Sequence, residues 1–339
     1  MRCLLSGLVL LVLASVVAAQ PKAKKLKVVV TTGQIEDAVK NVADDLVELH
    51  ALMGPGVDPH EFEPTQRHIE LINSADLYLV NGLHLEGKMG GILKQHPDKG
   101  VAVTDGIPRE KLRRVEGFEG GYDPHVWFDV MLWKDVVQYI ADTLSKRDPV
   151  HKETYQKNAK AYLAKLDKLD EYIQTRAAEI PSQRRKLVTA HDAFGYFGRR
   201  YGFEVVGLQG VSTEGEAGTA DVVRLADFIV KHQVPAIFVE TSVADRHMQA
   251  VVEAVAARGY EVVLAAEQYQ LYSDAMGPKG TPEGTYEGMM RHNIDTIVEV
   301  MKNPLAAKRE KNRWYTIAPI AVVVVLVIGL GILIVARKR

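Results

Sequence analysis

The sequence predicts an α/β protein: two small parallel-sheet α/β lobes joined by a long backbone helix, plus one C-terminal transmembrane helix. Three observations carry that expectation. Short apolar runs alternate with stretches of helical period in two successive series, the pattern of parallel sheets covered by helices. Between the series, apolar or small residues at Tyr155, Ala159, Tyr162, Leu166, Leu169 and Ile173 recur at steps of four and three, which holds one helix face for several turns. Near the end, residues 316–336 ("TIAPIAVVVVLVIGLGILIVA") carry no charge over about the twenty residues a membrane helix needs.

Taken in order, residues 1–19 read as a signal peptide: Arg2, an apolar run, and small residues at Val17 and Ala19 where a signal peptidase would cut. The lone cysteine, Cys3, leaves with it. The mature chain then has no disulfide, and its stability rests on a packed core helped by a bound ligand. Residues 25–147 form the first lobe, with strands at 27–31, 46–53, 75–80 and 100–104 and helices that include "TQRHIELINSA" and "LEGKMGGILKQH". Residues 148–181 form the linking helix. Asp148 and Pro149 open it and Pro181 closes it. At 1.5 Å per residue it reaches about 45 Å, enough to run along both lobes.

Residues 184–302 form the second lobe, with strands "KLVTA", "EVVGLQ", "AIFVE" and "EVVLAA". Its helices are "AFGYFGRRYG", "ADVVRLADFIVKHQ", "DRHMQAVVEAVAARG" and "TYEGMMRHNIDTIVEVM". A linker at 303–314 leads to the transmembrane helix at 315–336, with Trp314 and Tyr315 at its entrance and a cytoplasmic tail at 337–339. Basic residues flank that helix on both sides, so the export signal rather than the charge rule sets the orientation. The lobes are expected outside the cytosol, anchored to the cytoplasmic membrane.

With 339 residues, 47% hydrophobic and 25% charged, the chain is globular in composition. Its net charge of −1, from 42 basic and 43 acidic residues, gives no pull toward nucleic acid.

Ligands of open α/β sheets bind beyond the carboxyl ends of the strands. Three histidines fall there: His60 after the second strand, His125 in the last loop of the first lobe, and His191 directly after "KLVTA". Asp274, in "LYSDAMGPKG" after the last strand, is the matching acidic candidate. His60 and His125 each end an Asp-Pro-His tripeptide. The proline fixes one backbone angle ahead of the ligand, and the aspartate can bond nearby amides and set the turn. For a single copy, an incidental turn explains the tripeptide equally well; two copies at equivalent strand ends favour a ligand turn. Three neutral imidazoles and a carboxylate suit a divalent transition metal such as Zn²⁺, and a bidentate Asp274 would allow five-coordination with Mn²⁺ or Fe²⁺. Glu240 is an alternative carboxylate, with helix capping as its bland role. Asp192 either orients His191 or caps a helix. The remaining histidines fall on helices, polar flanks or, for His50, inside a strand.

At these residues the sequence resembles the TroA- and ZnuA-like solute-binding proteins of bacterial zinc/manganese ABC transporters. The matching stretches include "DPHEFEPTQRHIELINSADLYLVNGLHLEGKM", "DPHVWFDV", "VTAHDAFGYFGRRYGF" and "LYSDAMGPKGTPEGTYEGMMRHNIDTIVEVM". The resemblance implies metal in the cleft between two lobes, held by His60, His125, His191 and Asp274. It further implies a non-enzymatic monomer that delivers Zn²⁺ or Mn²⁺ to an ABC permease and, through it, a cytoplasmic ATPase. Two departures stand out. Many relatives carry a lipid-anchored cysteine, and Cys3 lies too early for that; zinc-dedicated relatives often carry a His-rich loop where this chain has "REKLRRVEGFEGGYDPH". A metal-dependent hydrolase and a surface adhesin are the rival functions.

Overall fold

The computed structural model describes residues 24–305 except 245. The expected signal peptide at 1–19, the greater part of the linker, the helix at 315–336 and the tail at 337–339 lie outside the described residues.

The first series of apolar runs folds into one sheet. Strands β1 (Leu26–Val30), β2 (Val47–Ala51), β3 (Leu77–Val80) and β4 (Gly100–Ala102) lie in the order β2-β1-β3-β4, all parallel. Val28, Val29 and Val30 of the inner strand are fully buried, as a parallel strand covered on both faces requires. Helices α1 (Gly33–Ala43), α2 (Gln66–Ser74), α3 (Gly90–Leu93) and α4 (Val130–Arg147) accompany it. The strand order reverses between β1 and β3, so the loops beyond them diverge and leave a crevice. One expected helix is largely absent: residues 85–96 give only a 3₁₀ turn at Gly87–Met89 and the four-residue α3. Gly87, Gly90 and Gly91 each disfavour a helix by about 1 kcal/mol relative to alanine, which weakens a continuous helix here although Gly90 and Gly91 lie within the short α3.

A 3₁₀ turn at Pro149–His151 leads into α5 (Lys152–Ala178), whose 27 residues span about 40 Å. Its buried face carries the six residues named from the periodicity, together with Asp170 and Ala177. It packs on α1 and α4 of the first lobe and on α6 (Gly195–Tyr201) and α9 (Tyr286–Lys302) of the second. Polar contacts pin it to each lobe: Tyr162 Oη donates to Asp37 Oδ2 (2.8 Å) on α1, and Tyr172 Oη to Asp295 Oδ1 (2.8 Å) on α9. One apolar cluster runs continuously from Val28 and Ile35 through Leu166 and Leu169 to Phe194, Tyr286 and Ile294.

The second lobe holds β5 (Lys186–His191), β6 (Glu204–Gln209), β7 (Ala236–Phe238) and β8 (Val263–Ala265), covered in part by α7 (Thr219–His232) and α8 (Arg246–Ala256). They pair as β5-β6 and β7-β8, both parallel, rather than as one continuous ladder. Where β5 ends, the His191 N–H donates to the Glu240 side chain (Oε1, 3.0 Å) instead of a strand carbonyl.

The expected fold class needs one correction. Two α/β lobes joined by a long helix are present, but no helix among the described residues is long and apolar enough to cross a membrane. The transmembrane helix is therefore not part of the described fold.

Because Leu166 is buried within the cluster common to both lobes, Leu166→Ala should cost about 2–5 kcal/mol, read from the urea midpoint at constant slope. A loss below about 1 kcal/mol would mean that α5 is peripheral to the core.

Candidate metal centre

The four residues marked out by position meet in space. His60, His125, His191 and Asp274 each bring one donor atom into a cluster in which all lie within 4.8 Å of one another, and all four side chains are buried. His60 Nε2 lies 3.3 Å from His125 Nε2. The Asp274 carboxylate faces His125 Nε2 through Oδ1 and His191 Nε2 through Oδ2, each at 3.2 Å. A four-coordinate zinc ion with bonds of about 2.0–2.1 Å separates its donors by about 3.3 Å, so the cluster has the right size. Neither Asp274 oxygen has a partner aligned for hydrogen bonding among the described residues. Buried carboxylate oxygens left in that state call for a cation.

Both Asp-Pro-His copies fold alike at the backbone. Asp58 Oδ1 accepts the His60 N–H (2.9 Å), and Asp123 Oδ1 accepts the His125 N–H (3.0 Å). Beyond that they diverge. Asp123 Oδ1 also lies 2.7 Å from His125 Nδ1, fixing the ring with Nε2 toward the cluster. Asp58 instead uses Oδ2 to accept from Thr213 Oγ1 (2.6 Å) of the second lobe. His191 is held by Glu240, whose Oε2 lies 2.6 Å from Nδ1 while Oε1 takes its N–H. On β6, Gly207 passes so close that a β-carbon there would stand 2.5 Å from the Asp192 backbone nitrogen, so only glycine lets the strand support His191 at this distance. From the first lobe, Gln34 Nε2 donates to the Asp274 carbonyl (3.1 Å), and Trp127 Nε1 to that of Ser273 (3.1 Å).

Electrostatics divide the three imidazoles. Burial, reinforced by the neighbouring rings against the pull of Asp274, pushes His60 down to about 3. Burial acts the same way on His125, but its contacts with Asp123 and Asp274 outweigh it and raise the ring to about 9. Glu240 and Asp274 likewise overcome burial to lift His191 well above the usual imidazole range. Burial opposes ionisation of Asp274, yet His191 and His125 hold it well below the usual carboxylate range. Without a cation, protons on His125 and His191 offset two of the three buried carboxylates that face them, and Arg113 pairs with the third, Asp123; a divalent ion would supply the same two charges.

Two sequence assignments change. Glu240 sits behind His191 rather than in the donor cluster, and Asp192 neither orients His191 nor caps a helix; its Oδ2 accepts from Arg113 Nη2 (2.9 Å). Asp123 as the partner of the His125 ring, and Arg113, were missed. Arg113 stands in the loop "REKLRRVEGF", where nothing separates it from its basic neighbours. The remaining histidines are all partly exposed and outside the cluster.

Residues 28–300 match the family described as "ZnuA: Zinc-uptake complex component A periplasmic". The chain is 49% identical over 276 residues to the zinc-binding protein TroA of Treponema pallidum (strain Nichols), covering 81% of this chain and 88% of that protein. It is 46% identical over 282 residues to the manganese-binding lipoprotein MntA of Bacillus subtilis (strain 168), covering 82% and 90%. The solved structure of periplasmic zinc-binding TroA from Treponema pallidum superimposes with a TM-score of 0.79, over 82% of this chain and 99% of that one.

Two measurements check this geometry. Glu240→Gln should keep the fold and weaken divalent-cation binding about 10–100-fold; unchanged affinity would show that Glu240 does not position His191. A bound imidazole is neutral, so a ring raised to about 9 must lose its proton on binding and affinity must climb as pH rises toward that value. Calorimetry at pH 7.5 in buffers of different ionisation enthalpy should find about two protons released per ion, with affinity falling about tenfold per pH unit for each as the solution is acidified. Binding without proton release contradicts the charge assignment.

Proposed function

The chain belongs to the zinc-uptake complex component A family, and from that membership we propose that it is the extracytoplasmic substrate-binding component of a metal ABC transporter. It captures a divalent transition metal, zinc and/or manganese, between its lobes and hands it to a membrane permease driven by a cytoplasmic ATPase. His60, His125, His191 and Asp274 are its ligands. The observation that carries this reading is the convergence of four buried donors, contributed by both lobes, on a point of ionic size. The ion is cargo: the site must bind it tightly enough to collect and loosely enough to surrender.

The ligand set also speaks to which ion. Three imidazoles and one carboxylate favour transition metals over calcium or magnesium, and intrinsic affinity runs higher for Zn²⁺ than for Mn²⁺. A protein that supplies manganese in the cell can therefore be isolated holding zinc.

A hydrolytic role is not favoured. Catalytic metal sites keep an open coordination position beside a substrate pocket, whereas here buried protein donors converge from both lobes.

Elemental analysis of the purified full chain should give one Zn²⁺ per protein after loading, and His191→Ala should lose that stoichiometry together with metal uptake in cells. Full loading of the His191→Ala protein would remove His191 from the ligand set; uptake unaffected by the loss of loading would remove the transport role.

A further inference from the structure

Around the metal cluster, one side chain joins the supports of two ligands across the seam between the lobes. We propose that Arg113 is an interlobe clasp that sets how fast the captured ion is released. This rests on the capture-and-delivery reading and adds to it a positioning residue that does not itself touch the ion.

Arg113 stands at the rim, its side chain about one-third exposed (32%). Nη1 donates to Asp123 Oδ2 (2.8 Å) in the first lobe, and Nη2 donates to Asp192 Oδ2 (2.9 Å) in the second. The other Asp123 oxygen holds both the backbone N–H and Nδ1 of His125. Asp192 directly follows His191, and its Oδ1 has no hydrogen-bond partner among the described residues, which leaves the Arg113 contact as its polar anchor. A planar guanidinium bonded at both ends of its fork thus ties the support of His125 to the chain that carries His191. It also separates two carboxylates that would otherwise repel.

A second observation shows that the seat is built for this side chain. Gly195, the first residue of α6, lies under the guanidinium: a β-carbon there would stand 2.3 Å from Nη1 and 2.6 Å from Cζ. The next residue adds a stitch, with Tyr196 Oη accepting the Arg113 N–H (3.0 Å) and donating to the Asp123 carbonyl (3.0 Å). Every one of these contacts on α6 crosses between lobes. Removing them would loosen the seam beside the ion without changing any of the four donor side chains. Loss of such contacts acts chiefly on the dissociation rate.

The test uses the full chain loaded with Zn²⁺ and mixed rapidly with enough EDTA that the observed rate no longer depends on chelator concentration. Arg113→Gln and Gly195→Ala should each speed release by about tenfold or more, and Arg113→Lys, which keeps the charge but not the fork, by less. The double variant Arg113→Gln/Gly195→Ala should release no faster than Arg113→Gln, since both changes remove one device. In the zinc-loaded protein the His125 Nδ1–H resonance should shift in Arg113→Gln, a response that loss of general stability would not give. If Arg113→Gln does not fold, Gly195→Ala carries the same rate comparison. Failure of the wild-type chain to load Zn²⁺ would sink the capture reading itself. Stoichiometric loading with wild-type release rates in either single variant, or additive effects in the double, would overturn the clasp alone.

Discussion

The structure depends on one constraint: a group of ionisable side chains is shut away from water where two lobes meet, and its charge has to balance. Asp123, Glu240 and Asp274 are buried beside the rings of His60, His125 and His191. An uncompensated carboxylate in such surroundings is strongly unfavourable. Protons on two rings, or a divalent cation among all three, offset two of those carboxylate charges, and Arg113 pairs with Asp123. The backbone is arranged to the same end: each Asp-Pro-His turn locks its own amide, Glu240 accepts the His191 backbone N–H and lies beside Nδ1 of its ring, and Gly207 leaves room for the strand beside it.

How the lobes can move follows from what joins them. Helix α5 lies against elements of both, and the apolar cluster passes without a break from the first sheet to α9. Packed interiors resist deformation, so the lobes cannot swing as separate bodies on a tether. Motion has to be a modest shear or a rearrangement of rim loops. The contacts across the rim are of the kind that can exchange with water: Arg113 with Asp192, Thr213 with Asp58, and Lys279 with Glu36. The lobes share a rigid back and a polar front.

Much of this was legible in the sequence, for physical reasons. Parallel strands buried on both faces must be apolar throughout, which is why "KVVV" stood out, and a helix packed along its length must repeat at helical spacing, which exposed the face of α5. The meeting of His60, His125, His191 and Asp274 was legible because strand ends in such sheets point at the cleft. Partnerships were not. Glu240 reads as a ligand or a cap because its role depends on β5 ending beside β7, and Arg113 escapes notice because its partners lie 10 and 79 residues away, one of them in the other lobe. Local pattern also failed at residues 85–96, where apolar spacing suggests one long helix and the glycine-rich segment forms only a 3₁₀ turn and the four-residue α3.

The rigid back and polar front bear on how one ligand set serves chemically different ions. Donor identity alone cannot prefer manganese, because nitrogen-rich sites follow the order that places zinc higher. What the protein can adjust is the distance between donors on opposite lobes. His60 and His125 belong to the first lobe and His191 and Asp274 to the second, so the 3.2 Å contact between His125 and Asp274 spans the seam. An ion with longer bonds must spread that contact, and the spread is resisted by whatever holds the rim together. On the proposed ligand set, the rim contacts that resist this spread would bear on which ion fits as well as on how readily it leaves.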